Sequence, residues 1–521
     1  MVAICFCRMD NQNGNGTNGL TAQTGNGTNH NGINGASNGL TGQAGNASKE
    51  LYTKAVFPGR LLMLGCGSIG QAILPMLMRH TDITPERMRI IAADEKGKTI
   101  AEQSGVEFVV EQLTPENYAG VLKKHLSSGD FLLNLSVETS SNDLIIWCQK
   151  NNVLYVDTST ERWPGFSVDA SLTPEQRTNY AQREDFLKLK EKYKEGSTAI
   201  VNHGANPGLV SHFIKAALLD IAIATGVDVA KTPQTREEWA ALMQTLKVRV
   251  IQTAERDTQD TPVSKQPDEF VSTWSVDGFL SEATQPVELG WGTHEKELPQ
   301  DAHEHTIGRK AAVYLDRPGA LTPVRSWTPR EGPYHGFLIT HDESITTTDY
   351  YTVSDEQGNV VYRPTMMYAY HPCDDAVLSL REYAGNNWKQ PRKKRILMDE
   401  IETGSDELGV LIMGHKKRSY WFGSDLSIAQ VRELLPHQNA TTMQVAIGAM
   451  SAVIWALENP KKGICEPEDL DFRRILDIAT PYLGIVHGKY TNWTPLRERK
   501  NPLFPEDTSA DPWQFKNFRV M

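Results

Sequence analysis

Leu61-Leu62-Met63-Leu64-Gly65-Cys66-Gly67-Ser68-Ile69-Gly70 is the stretch that decides the fold. Four apolar residues run into glycines spaced Gly-x-Gly-x-x-Gly, and a helical run to Arg79 follows. That context reads as strand, tight turn and helix start, where a dinucleotide pyrophosphate can rest on backbone N–H groups at the helix N-terminus. Gly65 permits the turn, Gly67 lets the phosphates approach the backbone, and Gly70 lets helix and strand pack closely.

Working outward, short apolar runs alternate with helical stretches at Met88–Ala93, Glu107–Val110, Phe131–Leu135, Val153–Val156 and Ala199–Val201. This is the rhythm of a doubly wound parallel α/β sheet of Rossmann type. The second run ends at Asp94, where a carboxylate can accept hydrogen bonds from the adenosine ribose and repel a 2′-phosphate. The expected cofactor is therefore NAD rather than NADP. Gly65, Gly67, Ser68, Ile69, Gly70 and Asp94 are expected to hold it, with Ser136 and Thr158. Thr84-Pro85-Glu86, Thr114-Pro115-Glu116 and Thr173-Pro174-Glu175 read as three helix starts: a capping hydroxyl, a preset φ and an acid at the positive end of the dipole.

Residues 1–50, rich in Asn, Gly and Thr, carry too little apolar content to offset their ordering entropy and read as a disordered tail. Residues 51–208 form the nucleotide domain. Residues 209–424 read as a largely antiparallel α+β domain for substrate and dimerisation, with a helix over Thr235–Leu246 and strands in Phe270–Val276, Gly336–Thr340 and Asn359–Tyr362. Residues 425–521 return to helix, capped at Asp425 or Ser427, and are expected to pack on the nucleotide domain. Their apolar stretch Thr441–Leu457, interrupted by Gln444, Gly448 and Ser451, reads as a buried helix and not a membrane span.

A net charge of -11 argues against nucleic acid as a partner and favours cations. Six scattered cysteines indicate a reducing compartment, and residues 1–8 are too short for a signal sequence, so the expected location is the cytoplasm. There is no Gly-x-Ser-x-Gly elbow, no P-loop and no His-Glu-x-x-His, which leaves hydrolase, kinase and metal chemistry without a starting residue. Between Asp268 and Glu304 nine acids face one base, Lys296, with Trp274 and Trp291 among them. Such a stretch suits an amine, because an aromatic face stabilises a desolvated cation by about 2 kcal/mol.

Asn202-His203-Gly204-Ala205-Asn206-Pro207-Gly208-Leu209 and Phe270-Val271-Ser272-Thr273-Trp274-Ser275-Val276-Asp277-Gly278 resemble the bacterial type of homospermidine synthase, a relative of the saccharopine dehydrogenases. The first motif is shared across that superfamily. The tryptophan segment, with Glu282 and Leu289-Gly290-Trp291-Gly292, is narrower. The resemblance runs from about Arg60 to the C-terminus, and it implies a homodimer with tightly held NAD. Such an enzyme oxidises putrescine, loses ammonia as a second putrescine forms an imine, and reduces that imine with the same cofactor; whether spermidine also serves as donor is left open by the sequence. It also implies the site residues Trp274, Glu161, Asn206, Glu255, Glu282, His341 and Asp406. Trp274 would support the cationic imine, Glu255 and Glu282 would anchor amino groups, and His341 and Asn206 would orient substrate or nicotinamide. Glu161 and Asp406 read equally as structural ion-pair partners.

If Asp277-Gly278 forms a two-residue hairpin turn, Trp274 faces Ser281 and Glu282 falls on the opposite face, so both reach one site only through a bulge, a longer loop or a domain interface. Two other functions fit the residues. One is a saccharopine- or carboxyspermidine-type dehydrogenase, which needs arginines for its substrate's carboxylates, with Arg325 and Arg330 as candidates. The other is an NAD-binding regulatory protein without turnover.

Overall fold

Six strands form where the apolar runs predict them: β1 (Leu61–Leu64), β2 (Met88–Ala92), β3 (Glu107–Val110), β4 (Phe131–Asn134), β5 (Leu154–Asp157) and β6 (Ala199–Ile200). The computed structural model describes residues 54–166, 169, 171–499, 503 and 508–520, so the expected tail lies outside the described residues. The six strands pair in parallel in the order β6-β5-β4-β1-β2-β3. β1, β4 and β5 are buried along their whole length, which is why they read as continuous apolar runs. α1 (Ser68–His80) starts directly after the glycine turn.

The Thr-Pro-Glu signals are weaker than their chemistry suggests. Two open single 3-10 turns, Pro85–Arg87 and Glu175–Arg177, and the third only precedes the helix Tyr118–His125. Proline suits a first turn, but at Met88 the β-branched run of β2 takes the chain at once.

The second sheet has ten strands, with β7 (Val250–Asp257) between β8 (Thr365–His371), parallel to it, and β9 (Ser405–His415), antiparallel. Most other pairs are antiparallel, as expected. The helices that frame the site are α2 (Leu209–Thr225), α3 (Val276–Thr284) and α4 (Asp342–Tyr350). α3 corrects the sequence reading: the strand stops at Ser272, and Ser275 accepts the Gly278 N–H to cap a helix. Asp277-Gly278 is thus the first turn of a helix and not a hairpin. Val276, Phe279, Leu280 and Ala283 are buried at helical spacing, and that period prevails over the Asp-Gly turn signal. Thr235 caps Arg236–Thr245 through a capping box with Glu238. Ser427, and not Asp425, caps Ile428–Leu434.

The C-terminal segment does return to the first sheet. α5 (Ala440–Glu458) is a buried core helix packed on α1 and β5. A Cβ on Gly448 would lie 2.1 Å from the Gly204 carbonyl oxygen, so the helix backbone rests directly on the Asn202–Leu209 turn. β10 (Ile464–Cys465) then adds a seventh parallel strand beyond β6. Beside it the buried Arg183 donates to Glu466 at 2.6 Å and to Asp349 of α4 at 2.9 Å, clasping the C-terminal segment to both sheets' helices.

Candidate active site

The carboxyl edge of the first sheet gathers the residues expected to hold the dinucleotide. Gly65 has φ +81°, and a Cβ there would lie 2.6 Å from the Leu135 carbonyl oxygen and 2.9 Å from the Ser136 nitrogen. Gly70 would place a Cβ 3.0 Å from the Gly65 oxygen. At Gly67 a Cβ would meet nothing within 4 Å, and as N-cap of α1 it offers no capping side chain and no acid follows in the first turn. Open space above uncapped N–H groups fits a pyrophosphate. Ser68 and Ile69 open the helix, and Ser136 and Thr158 follow β4 and β5. Asp94 stands two residues past β2, accepting the Lys96 N–H at 3.0 Å and pairing with its ammonium at 3.0 Å. Slight burial opposes ionisation, but these Lys96 contacts hold the Asp94 carboxyl below its ordinary range.

Facing this edge, one surface of the second sheet carries carboxylates and rings. Register pairs Glu255 with Tyr370 of β8, and Asp257 with Asp406 of β9, and residues opposite one another share a face. Tyr368 Oη donates to Glu255 Oε2 at 2.6 Å, and Asn206 Nδ2 donates to the same oxygen at 3.4 Å. The Tyr368 ring lies 4.6 Å from that of His341 and 5.3 Å from that of Tyr370. His341, at the N-cap of α4, bridges Glu343 through Nδ1 at 3.1 Å and Glu282 of α3 through Nε2 at 3.2 Å. Burial disfavours the charged ring, yet Glu343 and Glu282 outweigh it and raise the His341 pKa well above its usual value.

Trp274, just before α3, donates from Nε1 to Tyr370 Oη at 3.2 Å and stacks on Phe279 at 5.2 Å. Because α3 is a helix, Trp274 and Glu282 reach the same site without a bulge. Burial raises the carboxyls of Glu255, Asp257 and Asp406, and the neighbouring acids push Glu255 and Asp406 further in the same direction. Glu161 enters from the nucleotide side, accepting the Glu138 N–H at 3.2 Å and the Ser159 hydroxyl at 3.3 Å. It forms no hydrogen bond to the other six among the described residues, but its carboxyl is raised by burial and by the charge of Glu282.

The acidic stretch does not form one amine-binding surface. Asp268 pairs with Arg392, Glu269 with Arg395, Asp277 with Lys394, Glu297 with Lys516 and Asp301 with Arg519. Buried Glu288 accepts the N–H groups of Asn179 and Tyr180, and buried Glu295 accepts the Thr365 hydroxyl and the Phe515 N–H. Strands and turns fan these seven acids to separate partners, Glu304 is exposed on the strand Ala302–Glu304, and of the nine only Glu282 joins the site. Trp291 packs on Phe515 instead. The candidate arginines lie elsewhere: Arg325 donates to the Arg519 carbonyl at 2.7 Å and Arg330 to Asp425 at 2.6 Å.

Sequence reasoning missed Asp257, Glu343, Tyr368 and Tyr370, which the fold brings against the expected residues. A signal existed in two strands. In β7, Thr253, Glu255 and Asp257 recur every second residue, and in β8 so do Tyr368 and Tyr370, a polar stripe on one face of an otherwise buried strand.

A nucleotide-binding sheet whose carboxyl edge faces a carboxylate-lined, aromatic-walled sheet defines a protein of the saccharopine dehydrogenase class. The family descriptions agree: residues 61–201 match the saccharopine dehydrogenase NADP binding domain and residues 204–491 the saccharopine dehydrogenase C-terminal domain. Homospermidine synthase of Blastochloris viridis is 48% identical over 466 residues, covering 89% of this chain and 97% of the relative. That of Mesorhizobium japonicum is 47% identical, covering 89% and 96%. The crystal structure of the Legionella pneumophila homospermidine synthase in complex with NAD superposes with a TM-score of 0.84 at 47% identity, covering 90% of this chain and 99% of that one. The chain belongs to the homospermidine synthase family.

Proposed function

We propose that this protein is a cytoplasmic, homodimeric homospermidine synthase that uses NAD to join two putrescine molecules, releasing ammonia. The observation that carries the reading is the group Glu255, Asp257, Asp406 and Glu343, buried carboxylates with no lysine or arginine ion-paired to them among the described residues, beside Trp274, Tyr368 and Tyr370. Such carboxylates are costly until a cation arrives, and a diamine brings one at each end.

When bound, NAD supplies reversible hydride acceptance, out from the amine-bearing carbon of one putrescine and back to the imine made by the second. Glu255 and Glu282 anchor ammonium groups. Glu255, with its carboxyl raised by burial, is suited to take the proton an ammonium must lose before its carbon can be oxidised. His341, whose charged form the two flanking glutamates favour, fixes Glu282, and Asn206 fixes Glu255. Trp274, its plane set by Tyr370, presents a ring to the cationic imine. Glu161 and Asp406 extend the negative lining, and Asp94 selects against a 2′-phosphate.

The test is turnover of putrescine by purified protein with trace NAD, followed by mass spectrometry and NADH absorbance. Homospermidine and ammonia in large excess over NAD, with no net NADH, are expected. NADH accumulating in step with product would instead define a simple dehydrogenase, and nucleotide binding without product a regulatory protein.

A further inference from the structure

We infer that Thr441 is a positioning residue of this site, its hydroxyl holding one oxygen of Asp406 so that the other is left for a substrate ammonium. The inference rests on the diamine reading above and assigns a determinant of how that diamine is held.

Thr441 Oγ1 lies 2.7 Å from Asp406 Oδ2, 3.3 Å from Thr273 Oγ1 and 3.5 Å from Asp257 Oδ2, and it accepts a hydrogen bond from Gln259 Nε2 at 3.1 Å. A hydroxyl has one proton to give. Asp257 is already satisfied, by the Thr273 hydroxyl at 2.7 Å and by the Gln259 N–H and Nε2 at 2.8 and 3.0 Å. The Thr441 proton therefore goes to Asp406, by the shortest of its contacts. Asp406 Oδ1, by contrast, is buried without a hydrogen-bond partner among the described residues. A carboxylate with one oxygen held by a hydroxyl and the other buried with no protein partner among the described residues is suited to receive a charged N–H.

Thr441 also sits in the first turn of α5, whose positive dipole end favours a carboxylate. The same turn grips the residue before the indole: Asn439 Nδ2 donates to the Thr273 carbonyl at 2.6 Å and Thr442 Oγ1 at 3.3 Å. One helix end thus sets Asp406 and Trp274 in a common frame. The titratable groups around Asp406 are Glu255 and Asp257 from β7, Tyr370 from β8 and Glu407 beside it on β9. Arg256, between Glu255 and Asp257 on β7 and opposite Glu407, is the cation at hand, but among the described residues no lysine or arginine is ion-paired to Asp406, and the Thr441 hydrogen bond opposes burial and the acidic charges in keeping Asp406 ionisable.

The experiment compares wild type, Thr441→Val, Thr441→Ala and Thr441→Ser as NAD-loaded full-length protein, reading KM and kcat for putrescine, the acid limb of kcat/KM, NAD affinity and melting temperature. Loss of the hydroxyl should raise KM about ten- to hundredfold, the value of a hydrogen bond to a charged group. It should also move the acid limb to higher pH and leave NAD affinity unchanged. Thr441→Ser should recover most of the loss, and alanine gives the same readings if valine disturbs folding. A folded Thr441→Val or Thr441→Ala with wild-type KM and acid limb, or a Thr441→Ser as impaired as they are, overturns the inference alone. A wild type that makes no homospermidine overturns the functional reading and this inference with it.

Discussion

Trp274 presents one face to Phe279 and ties its indole nitrogen to Tyr370, which leaves the opposite face as the surface a cationic imine can meet. Trp274→Phe should keep part of the turnover through its weaker quadrupole, and Trp274→Ala should lose several-fold to a hundredfold, roughly 1–3 kcal/mol, mainly in kcat. Steady-state kinetics on folded variants check this, and an unaltered rate in the alanine variant would return the ring to packing alone. A second expectation concerns protons. Burial raises Glu288 to about 8 and Asp342 to about 7, and raises Glu255 and Asp406 in the same direction. Above the ordinary carboxylate range the folded chain thus holds protons the unfolded chain has released, so this contribution to stability is full at acid pH and lost as pH rises through those values. The melting temperature of substrate-free protein should fall between about pH 4 and pH 8, from the ordinary carboxylate range up to the raised values, and the increment from putrescine should grow over that interval, since a dication prefers ionised carboxylates. Thermal shifts with and without putrescine measure both; a putrescine increment that shrinks with pH would contradict it. At this scale the glycines and Asp94 were legible because each has a local steric or electrostatic reason. The seven expected site residues came from resemblance, because whether they meet depends on strand register and the packing of α3 and α4, which no local pattern encodes.

Elements differ in how plainly they show themselves. β1, β4 and β5 were readable because central parallel strands must be apolar on both faces, and α5 because a long apolar run with a terminal asparagine cap has few other uses. α3 was misread because Asp277-Gly278 imitates a hairpin turn, although the Ser275 cap and the buried Val276, Phe279, Leu280 and Ala283 were in the sequence all along. β10, two residues long, is too short to carry any period. The contact between α5 and the Asn202–Leu209 turn yields a prediction at this scale. Gly448→Ala would drive a methyl into the Gly204 carbonyl, backbone that cannot swing aside, and should destabilise the protein by about 1–3 kcal/mol. Urea unfolding measures it, and wild-type stability would mean the helix can slide along the turn.

Over the whole molecule, the sequence divides the chain into successive stretches, whereas the structure returns its end to its beginning. Composition and texture change near residues 208 and 424, but a strand pairing across more than two hundred residues leaves no mark on either partner. Removing residues 425–521 should therefore ruin more than the site: the chain 51–424 lacks β10, the Glu466 clasp and the helix covering α1, and is expected to aggregate. Supplying 425–521 as a separate chain should recover soluble protein, as judged by size-exclusion chromatography; a soluble 51–424 with an intact far-ultraviolet spectrum would argue against it. The late arrival of β10 also sets a timetable for biosynthesis. During translation the open edge of β6 and the apolar flank of α1 emerge well before Ala440–Glu458 and β10, which cover them, so the first sheet is completed only after those later residues have been made, although it comes first in order.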